Sequence, residues 1–230
     1  MRVSAVIAGA GKGERFGSGL SKLWAPIKGN PVIYYTLQTL ERASSVDEVV
    51  LLCPAEEKDV FCRGVESWGL KKIRGIYPGG ERRQDTVRKG LDLISNLCEI
   101  VVIHDAARPF ASPELFAKVV EAAQKFGAST AGVDAVDTVA VIGENGVLNY
   151  LNRRELVFIQ TPQAFRRELI VEAHKKAQND GYYGTDDAML VKRAGYEVTL
   201  VKGEVQNFKI TYPEDIARAE AVLSLSPFLV

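Results

Sequence analysis

The chain predicts an α/β fold, a mostly parallel twisted sheet with helices on both faces, and three observations carry that prediction. Short apolar, strand-like runs alternate with amphipathic helical stretches along the chain. A glycine-rich loop directly follows the first apolar run, and ligands of open α/β sheets bind at the carboxyl ends of strands. The 230 residues, 47% of them hydrophobic, suit one α/β domain spanning 1–230.

The elements follow in order. Val3–Ile7 is a buried first strand, and Val32–Arg42 the first helical pattern. Strands are expected at Glu48–Cys53, Ile73–Tyr77, Ile100–His104, Ser129–Val133 and Glu197–Val201. Helical patterns lie between them at about Glu56–Trp68, Gln84–Ile94, Pro113–Phe126 and Arg167–Asp180. Ser112-Pro113 starts one of these with an N-cap and a first-turn proline. Thr211-Tyr212-Pro213-Glu214 reads as a capping box for a last helix reaching about Leu223. One region breaks the alternation: Val136–Ile142 and Val147–Leu151 are extended runs joined by Glu144-Asn145-Gly146, and Asn-Gly is a strong hairpin signal. Such a hairpin is either an edge decoration or an arm that reaches a partner subunit, since an isolated hairpin is marginal in water.

Composition excludes several classes of function. Lys+Arg and Asp+Glu are both 29, so no global field draws nucleic acid or an anionic membrane. The three cysteines, Cys53, Cys62 and Cys98, have neither metal nor redox spacing, and an odd number gives no disulfide framework; a cytoplasmic protein is expected. The N-terminus reads as a strand rather than a signal peptide, and no run is long enough to span a bilayer.

The loop Ala8-Gly9-Ala10-Gly11-Lys12-Gly13-Glu14-Arg15-Phe16-Gly17-Ser18-Gly19-Leu20-Ser21-Lys22 is the strongest functional signal. Glycines let backbone N–H groups approach a ligand closely, and Arg15 and Lys22 add full charges where a phosphate chain would lie. Glu14 occupies the third glycine position of a dinucleotide fingerprint, and Val6 and Gly13 break a Walker A pattern. A second glycine turn, Pro78-Gly79-Gly80-Glu81-Arg82-Arg83-Gln84-Asp85-Thr86, follows the third strand. There Gly80 admits a flat base, and Thr86 offers a hydroxyl to ribose or base.

Asp105 stands just past the fourth strand in His104-Asp105-Ala106-Ala107-Arg108-Pro109, a candidate ligand for a hard cation such as Mg²⁺. Arg108 is either its ion-pair partner or a hold on an anionic substrate, and His104 reads as a satisfied core residue. Lys209 precedes the last helix. The Asp186-Asp187 pair is explained more simply by Thr185 capping a helix with an acidic first turn than by a second metal site.

Together these motifs resemble the cytidylyltransferase family that acts on 2-C-methyl-D-erythritol 4-phosphate in the non-mevalonate route to isoprenoids. The family's ordered pattern is A-A-G-x-G-x-R-M, P-K, G-G-x-x-R-x-x-S, H-D-A-A-R-P, a hairpin arm, T-P-Q and N-x-K-[IV]-T. It agrees with this chain over nearly its whole length. The resemblance implies a Rossmann-like nucleotidyltransferase fold with a protruding arm at about 134–157. Gly9, Ala10, Gly11 and Gly13 would cradle CTP, with Arg15 and Lys22 on its phosphates; Gly80, Glu81, Thr86 and Ala106 would face cytosine and ribose. Asp105 would hold Mg²⁺, and Arg108 and Lys209 the acceptor phosphate near it. Thr138, Arg153 and Thr161, from the neighbouring subunit's arm, would complete the acceptor pocket of a homodimer.

Gly9 stands in place of alanine, Phe16 of methionine, Ser21 of proline and Thr86 of serine; Gly9 and Ser21 are expected to loosen the loop before CTP binds. The implied reaction is in-line attack of the acceptor phosphate on the α-phosphorus of CTP, releasing pyrophosphate. Arg15, Lys22, Arg108 and Lys209 would serve as the catalytic cations. Ribitol 5-phosphate is the alternative acceptor. An NAD-dependent dehydrogenase lacks its fingerprint here, and a non-catalytic nucleotide sensor has no need of the retained Asp105 and Lys209.

Overall fold

The computed structural model describes residues 1–11, 13, 16–17, 21–144 and 146–225. Strand β1 (Arg2–Ala8) leads through the glycine loop to a 3-10 turn (Lys22–Trp24) and the short ribbon β2 (Pro26–Ile27) and β3 (Asn30–Pro31). Then come α1 (Val32–Arg42), β4 (Glu48–Cys53), α2 (Lys58–Ser67), β5 (Ile73–Pro78), α3 (Arg83–Leu93) and β6 (Cys98–Asp105). The remainder runs α4 (Pro113–Phe126), β7 (Ala128–Asp134), β8 (Ala140–Gly143), β9 (Gly146–Tyr150), β10 (Val157–Arg166), α5 (Arg167–Asn179), α6 (Asp187–Ala194), β11 (Thr199–Lys202) and α7 (Asp215–Leu225).

Seven strands form one sheet in the order β11-β7-β10-β6-β1-β4-β5. All neighbours are parallel except the two pairings of β10, which runs antiparallel between β6 and β7. The strands are apolar on both faces because both are covered. Val3, Ala5 and Ile7 of β1 pack with α1, α2, α4 and α7 on one side. Val6, with Val50, Leu52, Val101 and Ile103 of its neighbours, packs with α3, α5 and α6 on the other. Gly90 of α3 lets that helix press onto β1, since a Cβ there would lie 2.4 Å from a Val6 methyl.

Beside the short β2–β3 ribbon, one sheet strand was not expected, and two helix caps differ from those expected. Strand β10 contains Pro162 in a cis Thr161–Pro162 bond, and its register against β7 shifts between Gln160 and Gln163. A proline inside a run argues against a central strand, and here it sits at the irregularity. Helix α6 does follow Gly184-Thr185, but its N-cap is Asp186, whose carboxylate accepts the Met189 amide at 2.8 Å; Thr185 lies outside the helix. At α7 the expected box is replaced by Asp215, whose carboxylate accepts the amides of Thr211 and Tyr212 at 2.7 and 2.9 Å.

The hairpin is present as β8 and β9, which pair only with each other among the described residues, and Asn145 at its turn lies outside these. Its Ile142 and Leu148 are 76% and 72% exposed. Cys53, Cys62 and Cys98 are free thiols. Burial pushes the Cys53 thiol up to about 12, which leaves it protonated and unreactive.

Candidate active site

Register brings the two strongest motifs together. Ala8, the last residue of β1, pairs with Asp105 of β6 on one side and Leu52 of β4 on the other. The glycine loop therefore leaves the sheet beside Asp105. Gly9 is pinned there, its amide donating to the Leu52 carbonyl at 2.8 Å. The Gly79 amide donates to the next carbonyl, Cys53, at 2.9 Å, so the end of β4 ties both glycine turns. The turns touch: a Cβ on Gly79 would lie 2.1 Å from that of Ala10.

Between them lies a cavity of about 470 Å³ lined by Gly9, Ala10, Gly11, Gly13, Lys22, Gly80, Glu81, Thr86, Asp105 and Lys209. Arg15 lies outside the described residues. Two of the expected nucleotide contacts have partners within the chain. Ala106 does not line this cavity; its amide donates to Ala8, its carbonyl accepts from Thr36, and the next residue, Ala107, faces the cavity instead. Thr86 Oγ1 is already engaged, accepting the Gly80 amide at 2.9 Å and reaching the Arg82 carbonyl at 3.1 Å, so its hydroxyl shapes the glycine turn.

A second cavity, of about 670 Å³, opens across Asp105 and is lined by Arg83, Arg108, Gln160, Thr161, Gln163 and Lys209 among others. Arg83, Asp105 and Lys209 line both cavities and form the seam between them. The exposed Thr138 and Arg153 line neither cavity of this chain; Arg153 instead donates to the Val136 carbonyl at the base of the hairpin.

The seam is a concentrated charge cluster. Asp105 Oδ1 accepts from Arg83 Nε at 2.9 Å, and Oδ2 from Lys209 Nζ at 2.8 Å, with Arg108 Nε 3.8 Å away. Burial alone would raise the Asp105 pKa. Arg83, Lys209 and Arg108 outweigh it and hold the carboxyl well below its usual range. Arg83 also binds Asp187 Oδ2 at 2.7 Å, and Asp187 Oδ1 meets His174 Nε2 at 2.9 Å. Asp187, expected only as an acidic first-turn residue, is thus tied to the seam, while Arg83 and His174 were not singled out in the sequence; the arginine of the G-G-x-x-R pattern was the available signal.

His104 is fully buried, and burial pushes its pKa down to about 4. Its Nε2 faces the Arg108 carbonyl at 3.1 Å and therefore carries the proton, leaving Nδ1 to accept from the Thr161 hydroxyl at 3.0 Å. Thr161 Oγ1 in turn accepts the Asp105 amide at 2.9 Å. A neutral imidazole thus orients the hydroxyl that holds the Asp105 backbone.

Buried amides set the remaining pieces. Gln160 bonds both the amide and the carbonyl of Glu204, and Asn207 Nδ2 donates to the Thr161 carbonyl at 2.8 Å. The Asn207 carbonyl accepts from Arg108 at 2.9 Å, two residues before Lys209. Gln163 Nε2 donates to Thr130 and Asp186, both at 2.8 Å. The polar residues of β10 therefore set the floor of the second cavity.

A family model of IspD, 2-C-methyl-D-erythritol 4-phosphate cytidylyltransferase, matches residues 3–225. The chain belongs to this family. It is a cytidylyltransferase. It is 44% identical over 225 residues to the 2-C-methyl-D-erythritol 4-phosphate cytidylyltransferase of Syntrophus aciditrophicus, covering 96% of each chain. It is 41% identical over 226 residues to that of Caldanaerobacter subterraneus subsp. tengcongensis, covering 97% of this chain and 99% of the other. The crystal structure of 4-diphosphocytidyl-2C-methyl-D-erythritol synthase from Anaerococcus prevotii superimposes with a TM-score of 0.86 at 34% identity, covering 97% and 96% of the two chains.

Among the described residues no cluster of three or more His, Cys, Asp and Glu side chains is placed to hold a metal. Asp105 is the one acidic side chain in the seam, and Mg²⁺ commonly takes one or two carboxylates plus substrate phosphates. The donor set suits a cation that arrives with a triphosphate rather than one resident in a protein cage. Both Asp105 oxygens already accept from cations, so direct coordination requires Arg83 or Lys209 to yield a contact.

Proposed function

We propose the following division of labour for transfer of the cytidylyl group from CTP to 2-C-methyl-D-erythritol 4-phosphate. The observation that carries it is the seam of Arg83, Asp105 and Lys209 shared by two cavities, one under the glycine loop and one beyond it. The smaller cavity takes CTP, its phosphates against Gly9, Ala10, Gly11, Gly13 and Lys22, and its base against Gly80 and Glu81. Arg15 keeps the phosphate role that the family pattern assigns to it. The larger cavity takes the acceptor, whose phosphate meets Lys209 and Arg108.

An oxygen of the acceptor phosphate bonds to the α-phosphorus as the bond to the β-phosphate oxygen breaks, and the electron pair leaves with pyrophosphate. The attacking phosphate is already ionised, so no general base is required. The obstacle is repulsion between two anions and charge in the pentavalent transition state. Pre-placed cations and N–H donors lower that barrier by roughly 10²–10³ in rate for each donor. Mg²⁺, when bound near Asp105, supplies Lewis-acid stabilisation of the phosphate oxygens. Asp105 keeps Lys209 and Arg108 turned toward the seam.

Residues 134–157 form an arm, and a cytosolic homodimer joined through it brings Thr138 and Arg153 to the partner's acceptor cavity. The exposed apolar side chains of the hairpin support this reading. Among the described residues no helix is long and apolar enough to cross a membrane.

Pyrophosphate release with CTP and Mg²⁺, assayed with each acceptor in turn, tests the proposal. Methylerythritol phosphate is expected to sustain turnover at least about tenfold faster than ribitol 5-phosphate. Faster turnover with ribitol 5-phosphate overturns the acceptor assignment.

A further inference from the structure

The glycine loop is tied down at both ends, and its second tie is made by residues outside the substrate cavities. Its start is held by the Gly9 amide on Leu52. At its far end the Ser21 amide donates to Glu57 Oε1 at 2.9 Å. Glu57 ends the short 3-10 turn Ala55–Glu57, just after β4 and before α2. Ser21 is 9% exposed, and its hydroxyl accepts the Leu23 amide at 3.3 Å. The other Glu57 oxygen, Oε2, is buried and has no hydrogen-bond partner among the described residues.

We infer that Ser21 and Glu57 form a latch that positions Lys22, and with it the phosphate end of the CTP cavity, through a single charge-assisted hydrogen bond. Lys22 is the next residue, and its ammonium already donates to the Ile210 carbonyl at 2.7 Å, across the cavity mouth and next to Lys209. Rotation of the Ser21 peptide would swing Lys22 off that line. Glu57 has a reason to hold on: one of its oxygens is already without a partner among the described residues, and losing the Ser21 amide would strand a half-buried carboxylate. A proline at position 21, as in the family pattern, has no N–H to give. The observed φ of −46° lies near the proline range, so the backbone would accept that ring while the latch was lost. Where Ser21 was expected only to loosen the loop, it supplies an anchor that proline cannot make.

The inference rests on the reading of Lys22 as a CTP-phosphate cation, and the test separates the two. CTP KM, acceptor KM and kcat are compared for K22A, E57A, E57Q, S21A, S21P and S21P/E57A. Losing one hydrogen bond to a charged group is worth roughly tenfold. E57A and S21P are each expected to raise CTP KM by about that factor, with acceptor KM within about twofold. E57Q retains an acceptor oxygen and S21A retains the amide, so both should stay within about threefold of the parent. S21P/E57A should be no worse than S21P, because both changes delete the same bond. If E57A does not fold, S21P and S21A carry the comparison. A CTP KM unchanged in E57A or S21P overturns the latch, as do effects that multiply in the double variant. If K22A leaves CTP KM and kcat unchanged, the reading of Lys22 falls, whatever the Glu57 variants do.

Discussion

Burial and charge pull Asp105 in opposite directions, and the outcome decides what the site can do. Arg83, Lys209 and Arg108 keep it ionised despite its 6% exposure. The carboxylate in turn holds the three cations close together at the seam of the two cavities. His104 illustrates the opposite case, a titratable group kept neutral. Its pKa of about 4 when folded lies below the unfolded value near 6.5. The unfolded chain therefore binds the extra proton in that window. His104 stabilisation is fully present above about pH 6.5 and is lost as pH falls toward 4, about 3 kcal/mol in all at 1.36 kcal/mol per unit. Denaturant unfolding of the substrate-free protein should show this loss between pH 6.5 and 4. H104Q, which can still donate to Arg108 and accept from Thr161, should flatten that part of the slope; an equal slope in H104Q would refute the assignment. At this scale Asp105, Arg108 and Lys209 were legible because each stood in a motif at a strand or helix boundary. Arg83 was not, because its two carboxylate partners lie 22 and 104 residues away in sequence.

The parallel strands and most helices were readable from apolar runs and caps because both sheet faces are buried and each strand is continuous in sequence. β10 was obscured by Thr161-Pro162-Gln163, a polar, proline-containing stretch in the middle of the sheet. Those residues are tolerated there because their side chains have fixed partners: Thr161 with His104, Gln163 with Thr130 and Asp186. Tertiary pairing overrode the local signal. The meeting of the two glycine turns was likewise invisible until β4 was seen to bind both. An alanine at Gly79 would force its Cβ within 2.1 Å of Ala10 and 2.9 Å of Thr86 Oγ1. G79A should therefore part the turns and raise CTP KM at least about tenfold, with an overpacking cost of roughly 1–3 kcal/mol in stability. Calorimetric CTP affinity equal to that of the parent would show that the turns need not touch.

For the whole molecule, the question is whether one chain contains a complete site. Thr138 and Arg153 do not line the second cavity of their own chain; they stand at the foot of an apolar hairpin that, among the described residues, pairs only with itself. If the arm serves a neighbour, K209A and R153A dimers should each be nearly inactive. Exchange of their subunits should then restore activity, since each mixed dimer contains one site free of both changes. Recovery near a quarter of the parent rate is the expected ceiling for random mixing, half the dimers being mixed and each having one good site of two. No recovery, despite mixed dimers demonstrated by mass, would confine the site to one chain. The arm was readable as a hairpin from Asn145-Gly146 and its flanking extended runs, whereas the proposed destination came from the family resemblance alone, because no periodicity in one chain encodes a partner surface.

In the proposed mechanism, cations around Asp105 allow one phosphate to displace pyrophosphate from another directly, with no covalent enzyme intermediate. The stereochemical course at the α-phosphorus, followed with CTP carrying a chiral α-thiophosphate, tests this most directly. A single in-line displacement predicts inversion; retention would require two displacements, hence a nucleotidylated side chain, and would contradict the account.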